Sequence, residues 1–189
     1  ITDTFYGARV IDFVKSSSPG SEQTATERLK QSLNSGVNLL TYFGHSSSET
    51  LAFNLENPAN YSNTGRYPVF HMMGCNVGDI FILNENRLST YSTISEKYLL
   101  AKGRGSIGMM AGTSFGYVYP LQQYNRELYK LLTKDAYGLP LGEVMQKTIQ
   151  TFYTTVGGES SLFQRAQAEE FTLNGDPAIK LYQFSKPDY

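Results

Sequence analysis

Two apolar segments, VNLLTYFGH at residues 37–45 and YPVFHMMGC at residues 67–75, decide the fold of this chain. Each is a short apolar run that closes with a glycine and is followed by a reactive side chain, His45 in one and Cys75 in the other. Apolar runs of this length, ended by glycine, predict buried strands of a parallel sheet. Open α/β sheets hold their chemistry at the carboxyl ends of such strands, so we expect His45 and Cys75 to meet there.

Helix-forming segments alternate with these strands. Residues 22–35 have helical spacing of apolar residues and stop before Gly36, where a C-cap glycine belongs. Residues 93–102 start with Thr93 and Glu96 at the spacing of a capping box, which predicts a second helix. We further predict strands at residues 6–14, 106–111 and 178–182, helices at 48–55, 121–133, 141–153 and 161–171, and an exposed loop at 56–66.

This order of elements predicts an α/β protein with a mostly parallel sheet and helices on both faces, a three-layer α/β/α sandwich. The length of 189 residues suits one domain, residues 1–189, with a single core. Because the chain begins at Ile1 without a methionine, we interpret it as a processed or excised part of a longer protein.

Composition narrows the classes of partner. Hydrophobic residues make up 40% of the chain and charged residues 17%, which is typical of a globular protein. A formal net charge of -1 gives no basic surface for nucleic acid or for an anionic membrane. No apolar stretch approaches the roughly 20 residues that span a bilayer, so we expect no membrane insertion. The only cysteine, Cys75, cannot form an internal disulfide, so cysteine usage does not indicate the redox compartment of the protein.

Cys75 and His45 are the candidates for catalysis. A cysteine nucleophile needs a thiolate, and a neighbouring imidazole that takes the thiol proton provides one near neutral pH. Neighbouring parallel strands lie about 4.8 Å apart, so residues just past their ends can come within hydrogen-bond reach. Gly44 and Gly74, directly before the two residues, allow close backbone approach and could turn amide groups towards an oxyanion. Alternatively, Cys75 is simply a small buried hydrophobic residue.

Two competing sites fail on geometry or order. His71 lies four strand residues before Cys75, about 13 Å away, so it reaches neither the thiol nor a zinc ion shared with His45. Residues 112–116, GTSFG, match the nucleophile-elbow pattern around Ser114. That fold needs a histidine after the serine, whereas both histidines here precede it, so Ser114 is expected to border the substrate cleft instead.

Acidic side chains also lie close in sequence to the two reactive residues. Glu49 follows His45 by four residues, and Asp79 follows Cys75 by four. Either carboxylate could orient the imidazole or select a basic substrate. Solvated loop carboxylates are at least as good an interpretation, because sequence proximity assigns no role.

Four segments together resemble the gingipain-type cysteine peptidases of family C25, in the caspase-like clan CD. In chain order they are NSGVNLLTYFGHSSSETLAF, VFHMMGCNVGDIF, SEKYLLAKGRGSIGMMAGTSFGYV and LNGDPAIKLY, so the resemblance runs along most of the chain, from about residue 34 to residue 182. Strands that end in Gly-His and in a small residue followed by Cys resemble the clan, and GDPAIKLY resembles C25 in particular.

The resemblance implies a caspase-like domain that hydrolyses peptide bonds as a cysteine endopeptidase. Cys75 would be the nucleophile, His45 the general acid and base, and the amides of Gly44 and Cys75 the oxyanion hole. Catalysis would need no cofactor and no metal ligand is assigned, although calcium as a structural ion is implied. Many members have Gly-His-Gly where this chain has Ser46 after the histidine, so Ser46 could narrow the cleft.

The resemblance also implies a setting. Members are typically bacterial proteins that the type IX secretion pathway brings to the cell surface, where they act on polypeptide substrates. This chain resembles the second, catalytic half of a gingipain, so we expect it to pack against an N-terminal half. Two alternatives remain: a peptidase that processes type IX secretion signals, and a non-catalytic caspase-like binding or scaffold module. The specificity of gingipains is not transferable.

Overall fold

The computed structural model describes residues 8–15, 18–53, 55, 57–81, 93–155 and 162–181. These residues form two compact units. One comprises the described residues within 12–115 and 172–175 and contains both candidate catalytic residues; the other comprises the described residues within 8–11, 116–171 and 176–181. The single-domain organisation stays a prediction.

The first unit is built on a four-stranded sheet. Its strands are β1 (Leu39–Phe43), β2 (Val69–Met73), β3 (Gly108–Gly112) and β4 (Phe171–Gly175), hydrogen-bonded in that order. β1 pairs with β2 and β2 with β3, both in parallel. All residues of β2 and β3 are buried, whereas β1 lies at the sheet edge with Thr41 and Phe43 exposed. The predicted mostly parallel sheet with buried central strands is therefore present.

Two helices cover one face of this sheet. α1 (Pro19–Ser35) is capped by Ser18 and ends at Gly36, whose φ of 97° is a conformation that glycine adopts without strain. α2 (Ile94–Leu99) starts with the predicted capping box. Alternate residues of the central strands point into the same cluster as these helices, as the period of a strand requires. The buried members of this core are Leu29, Leu33, Tyr61, Phe70, Met72, Val77, Ile94, Tyr98, Met109 and Ala111.

The second unit is helical. It contains α3 (Val118–Lys130), a π-helical turn (Leu131–Asp135), α4 (Leu141–Thr155) and α5 (Leu162–Glu170). Tyr124 lies at its centre, with ring centroids 6.0 Å from Phe152 and 4.8 Å from Phe171. The three predicted helices of this region are thus confirmed. No described helix combines the length and apolar character that crossing a bilayer requires.

Four sequence predictions about flanking segments were wrong. The described part of the first predicted strand, residues 8–15, is irregular, and the described part of the last, 178–181, is a turn and irregular backbone after β4. In place of the predicted helix at 48–55, the described residues form a tight turn closed by a Ser46–Leu51 bridge. The predicted exposed loop at 56–66 contains a 3-10 helix (Pro58–Asn60) and buried side chains.

Candidate active site

The parallel register of β1 and β2 brings the two reactive residues to the same end of the sheet. Phe43 is the partner of Met73, and His45 and Cys75 each follow two residues later. The pairing continues past the last register pair, since the Gly44 N–H donates to the Met73 carbonyl at 3.1 Å. His45 is exposed and Cys75 is half-buried, so reagents from solvent have access to both.

A tight turn follows His45 and is tied back to β1. The Ala52 N–H donates to the His45 carbonyl at 2.9 Å, and the Ser47 N–H donates to the Thr50 carbonyl at 2.8 Å. The Tyr42 hydroxyl also donates to the His45 carbonyl, at 2.6 Å, and accepts from the Ala52 N–H at 3.1 Å. Burial raises the pKa of Tyr42, more than its bond from Ala52 lowers it. The phenol therefore stays protonated and remains a donor near neutral pH.

Ser46 connects the two candidate catalytic segments. Its hydroxyl donates to the Cys75 carbonyl at 2.9 Å, across 29 residues of sequence. The hydroxyl occupies the space beside Gly74, where a β-carbon would overlap it and would lie 2.7 Å from the Gly44 carbonyl oxygen. Gly74 thus allows the two strand ends to approach each other closely.

The segment after Cys75 is held by the loop after β3. Asn76 has a φ of 57°, a left-handed conformation that asparagine tolerates better than most residues. Its N–H donates to the Ser114 carbonyl at 2.8 Å, and the Gly78 N–H donates to the Gly112 carbonyl at 2.9 Å. Ser114, which the sequence placed beside the cleft, thus lies next to the Cys75 segment through its main chain.

The two candidate acidic residues have local contacts. Glu49 is exposed in the tight turn, where its N–H donates to the Ser47 hydroxyl at 3.2 Å. Asp79 is half-buried, and its carboxylate accepts from the Phe81 N–H at 3.0 Å. The contact of Asp79 is a local turn bond of the kind that aspartate side chains commonly form. No described contact joins either carboxylate to the imidazole of His45.

The amide of Gly44 belongs to the sheet. Its N–H is used in the bond to the Met73 carbonyl, so it is engaged in the ladder and does not face the space in front of Cys75. This bond argues against the assignment of Gly44 to an oxyanion hole. The main-chain N–H of Ser46, two residues after Gly44, donates to no group among the residues that the structure describes.

His71 lies in the middle of β2, at the register position of Thr41 and Met110. Complete burial lowers its pKa to about 3, so the imidazole is neutral near pH 7. The regular strand keeps it away from Cys75, as the sequence predicted. Within the described ranges, no group of three or more His, Cys, Asp or Glu side chains could hold a metal ion.

Two contributions to this geometry escaped the sequence. Tyr42 looks like an ordinary β-strand aromatic residue, and nothing in its position indicates a bond to the His45 carbonyl. Asn76 carried a usable signal, because asparagine after a strand-ending Gly-Cys is one of the few residues suited to positive φ. Ser46 was singled out, but as an obstruction rather than as a hydrogen-bond donor.

Comparison with known proteins identifies the family and the fold of this chain. The model of peptidase family C25 matches residues 1–182. The crystal structure of the Arg-specific cysteine proteinase gingipain R (RgpB) is similar, with a TM-score of 0.64, 18% identity, and coverage of 81% of this chain and 35% of that chain. A complex of Porphyromonas gingivalis RgpB pro- and mature domains gives a TM-score of 0.65, 16% identity and coverage of 81% and 36%. No curated protein sequence matches this chain.

The solved structures establish the fold, while the family match establishes the family. The chain spans about a third of the length of the solved chains it resembles. The likeness confirms the predicted caspase-like α/β class for the part that aligns. With the family match running along almost the whole sequence, the chain belongs to peptidase family C25, a family of cysteine-type peptidases.

Proposed function

We propose that this chain is the catalytic part of a cysteine endopeptidase in which Cys75 is the nucleophile and His45 the general acid and base. One observation carries the proposal. The residues on either side of His45 are both bonded to the end of β2: Gly44 donates to Met73, and Ser46 donates to Cys75. These two bonds keep the backbone of His45 beside that of Cys75. Membership in family C25 supports the same pair, because both residues match the motifs on which the resemblance rests.

The first half of the reaction makes an acyl-enzyme. His45 takes the proton of the Cys75 thiol, and the thiolate attacks the carbonyl carbon of the scissile peptide bond. The carbonyl electron pair moves to oxygen and gives a tetrahedral oxyanion. As this collapses, the C–N bond breaks, the imidazolium gives its proton to the leaving amine, and a thioester to Cys75 remains.

The second half restores the enzyme. A water molecule attacks the thioester carbonyl while the neutral imidazole of His45 takes its proton. The C–S bond breaks, the carboxylic acid product leaves, and the sulfur recovers its proton through His45. The exposure of His45 suits this step, because water reaches the imidazole from solvent.

Backbone amides stabilise the oxyanion in this proposal. Since the Gly44 N–H is used by the Met73 carbonyl, we assign the first donor to the Ser46 N–H and retain Cys75 as the second. Preorganised donors of this type contribute about 3 to 4 kcal/mol to the transition state of acyl transfer. A serine instead of glycine at position 46 leaves the amide available, because the side chain branches from Cα.

A non-catalytic caspase-like module is the second candidate. One observation favours it: the Ser46 side chain stands at the position where the family resemblance leads us to expect glycine, and contacts the Cys75 main chain. A side chain there restricts the space in front of the thiol. A folded parent protein that cleaves no member of a diverse peptide library would favour this alternative.

The setting of the activity also remains a proposal. Polypeptides are the proposed substrates, with a role in processing type IX secretion signals as a variant, and the cell surface of a bacterium is the proposed location. An N-terminal half is proposed to pack against the chain. Structural calcium stays a prediction for which the described residues offer no carboxylate cluster.

Cleavage of a peptide library by the full-length protein tests the proposal. We expect Cys75→Ala and His45→Ala to lower cleavage by about 1,000-fold or more, as the loss of a nucleophile or its base does in comparable enzymes. Ser114→Ala distinguishes a cysteine nucleophile from a serine nucleophile. If Ser114 were the nucleophile, its replacement would cause an equally large loss of cleavage. Cleavage that survives Cys75→Ala would refute the proposed nucleophile.

A further inference from the structure

Two hydroxyl groups hold the main chain of the proposed dyad. The Tyr42 hydroxyl donates to the His45 carbonyl at 2.6 Å, and the Ser46 hydroxyl donates to the Cys75 carbonyl at 2.9 Å. The ring of Tyr42 also packs against the core of the first unit, and its hydroxyl accepts from the Ala52 N–H, so Tyr42→Phe keeps the packing and removes the hydroxyl. Ser46 is half-buried after the strand end. Each carbonyl belongs to a residue whose side chain must be aimed at the other.

The glycines before His45 and Cys75 make room for these hydroxyls. A β-carbon on Gly44 would lie 2.7 Å from the Tyr42 hydroxyl oxygen, and one on Gly74 would overlap the Ser46 hydroxyl. The same pattern therefore occurs on both strands: a glycine leaves a space, and a hydroxyl fills it to reach the carbonyl of a reactive residue. This repetition favours a shared role over two unrelated surface contacts.

We propose that Tyr42 and Ser46 are positioning residues, a hydroxyl clamp that sets the approach of the His45 imidazole to the Cys75 thiol. The inference rests on the proposed Cys75/His45 dyad. Neither hydroxyl touches the reacting atoms; each acts through the main chain of a dyad residue. Ser46 thereby has a positive function at the position where the resemblance leads us to expect glycine.

The tight turn would persist without the clamp, so its removal tests positioning rather than folding. The Ala52 N–H donates to the His45 carbonyl directly, and Ser47 and Thr50 are bonded to each other. Tyr42→Phe therefore leaves the Ala52 N–H with an acceptor. Loss of one net hydrogen bond corresponds to about a three- to ten-fold effect on the population of the aligned state.

Alkylation of Cys75 by iodoacetamide at pH 6 and pH 9 measures this alignment without a substrate. The rate in the full-length protein is followed by mass spectrometry of the tryptic peptide covering residues 67–87, which contains this cysteine alone. The readout is the ratio of the rate at pH 6 to the rate at pH 9. An unassisted thiol is roughly 200-fold less ionised at pH 6 than at pH 9, so the ratio reports help from a base and cancels changes in access.

We expect His45→Ala to lower the ratio by about 100-fold and Tyr42→Phe or Ser46→Ala to lower it by about three- to ten-fold. Ser46→Thr, which keeps the hydroxyl, should restore the ratio to within about two-fold of the parent, whereas a merely structural role for Ser46 predicts no such rescue. Ser47→Ala is the matched control, since this serine is in the same turn and, among the described residues, its hydroxyl bonds only to Glu49 and Thr50 of that turn.

The outcomes separate the two proposals. A ratio that His45→Ala leaves unchanged refutes the dyad and the clamp together. A ratio that collapses in His45→Ala but stays at the parent value in Tyr42→Phe and Ser46→Ala refutes the clamp alone. Equal effects of Ser46→Ala and Ser47→Ala also refute it, because the turn as a whole would then be responsible. If Tyr42→Phe does not fold, the Ser46→Ala and Ser46→Thr pair decides.

Discussion

Replacing Gly74 with alanine should destabilise the protein and separate the two strand ends. The added methyl group would overlap the Ser46 hydroxyl and would lie 2.7 Å from the Gly44 carbonyl oxygen. A carbon–oxygen contact of this kind normally needs about 3.3 Å, so the strands must part by roughly 0.6 Å. Overpacking at a buried position costs about 1 to 3 kcal/mol, and we expect a loss in that range.

Denaturant unfolding of the parent and variants measures this cost. Ser46→Gly added to Gly74→Ala removes one of the two collisions, so we expect the double variant to regain part, but not all, of the lost stability. Gly20→Ala is the control, because a β-carbon at this position in the first turn of α1 meets nothing within 4 Å and should not destabilise the protein. Equal stability of Gly74→Ala and the parent would refute the close approach of the two strand ends.

Two further substitutions test groups outside the clamp. The buried His71 stays neutral down to about pH 3 while the unfolded imidazole gains a proton below about pH 6.5, so the unfolding free energy should fall through this group by about 2 kcal/mol from pH 7 to pH 5. His71→Leu should remove that fall. Burial raises the pKa of Glu170 to about 7, so this carboxyl makes the unfolding free energy rise as the pH falls. The contribution of Glu170 is the same in both proteins and cancels when they are compared. Thr93→Ala removes the cap of α2 and should lower thermal stability by about 1 kcal/mol, whereas an unchanged melting midpoint would contradict the capping box.

The central sheet could be predicted because its signals are local. The runs at residues 37–45 and 67–75 are apolar, short and closed by glycine, and each contains a strand of the structure. The capping box at Thr93 is defined by residues three apart and was confirmed as predicted. In these segments the local preference of the sequence and the tertiary fold favour the same secondary structure.

Two of the mispredicted segments depend on contacts distant in sequence. Residues 56–66 look polar and turn-rich, yet Asn63 is buried and its side chain exchanges hydrogen bonds with the main chain of Gly105, 42 residues later. Hydrogen bonds from such partners offset the free-energy cost of burying a polar side chain, and composition does not reveal these partners. Residues 171–175 form β4, and the described residues 178–181 do not extend the sheet, because pairing with β3, rather than apolar content, decides which segment joins it.

The candidate site also has parts that the sequence predicts and parts that depend on distant contacts. His45 and Cys75 were identifiable because strand ends and reactive side chains are both visible in the sequence, and the parallel register of β1 and β2 then aligns them. The hydroxyl of Ser46 was not predictable as a support, since its acceptor, the Cys75 carbonyl, becomes its neighbour only through that register. Judged from the resemblance alone, Ser46 looks like a defect, because the resemblance leads us to expect glycine at this position. Judged from its hydrogen bond, Ser46 joins the two halves of the proposed dyad, and its hydroxyl fills the space that the missing β-carbon of Gly74 leaves.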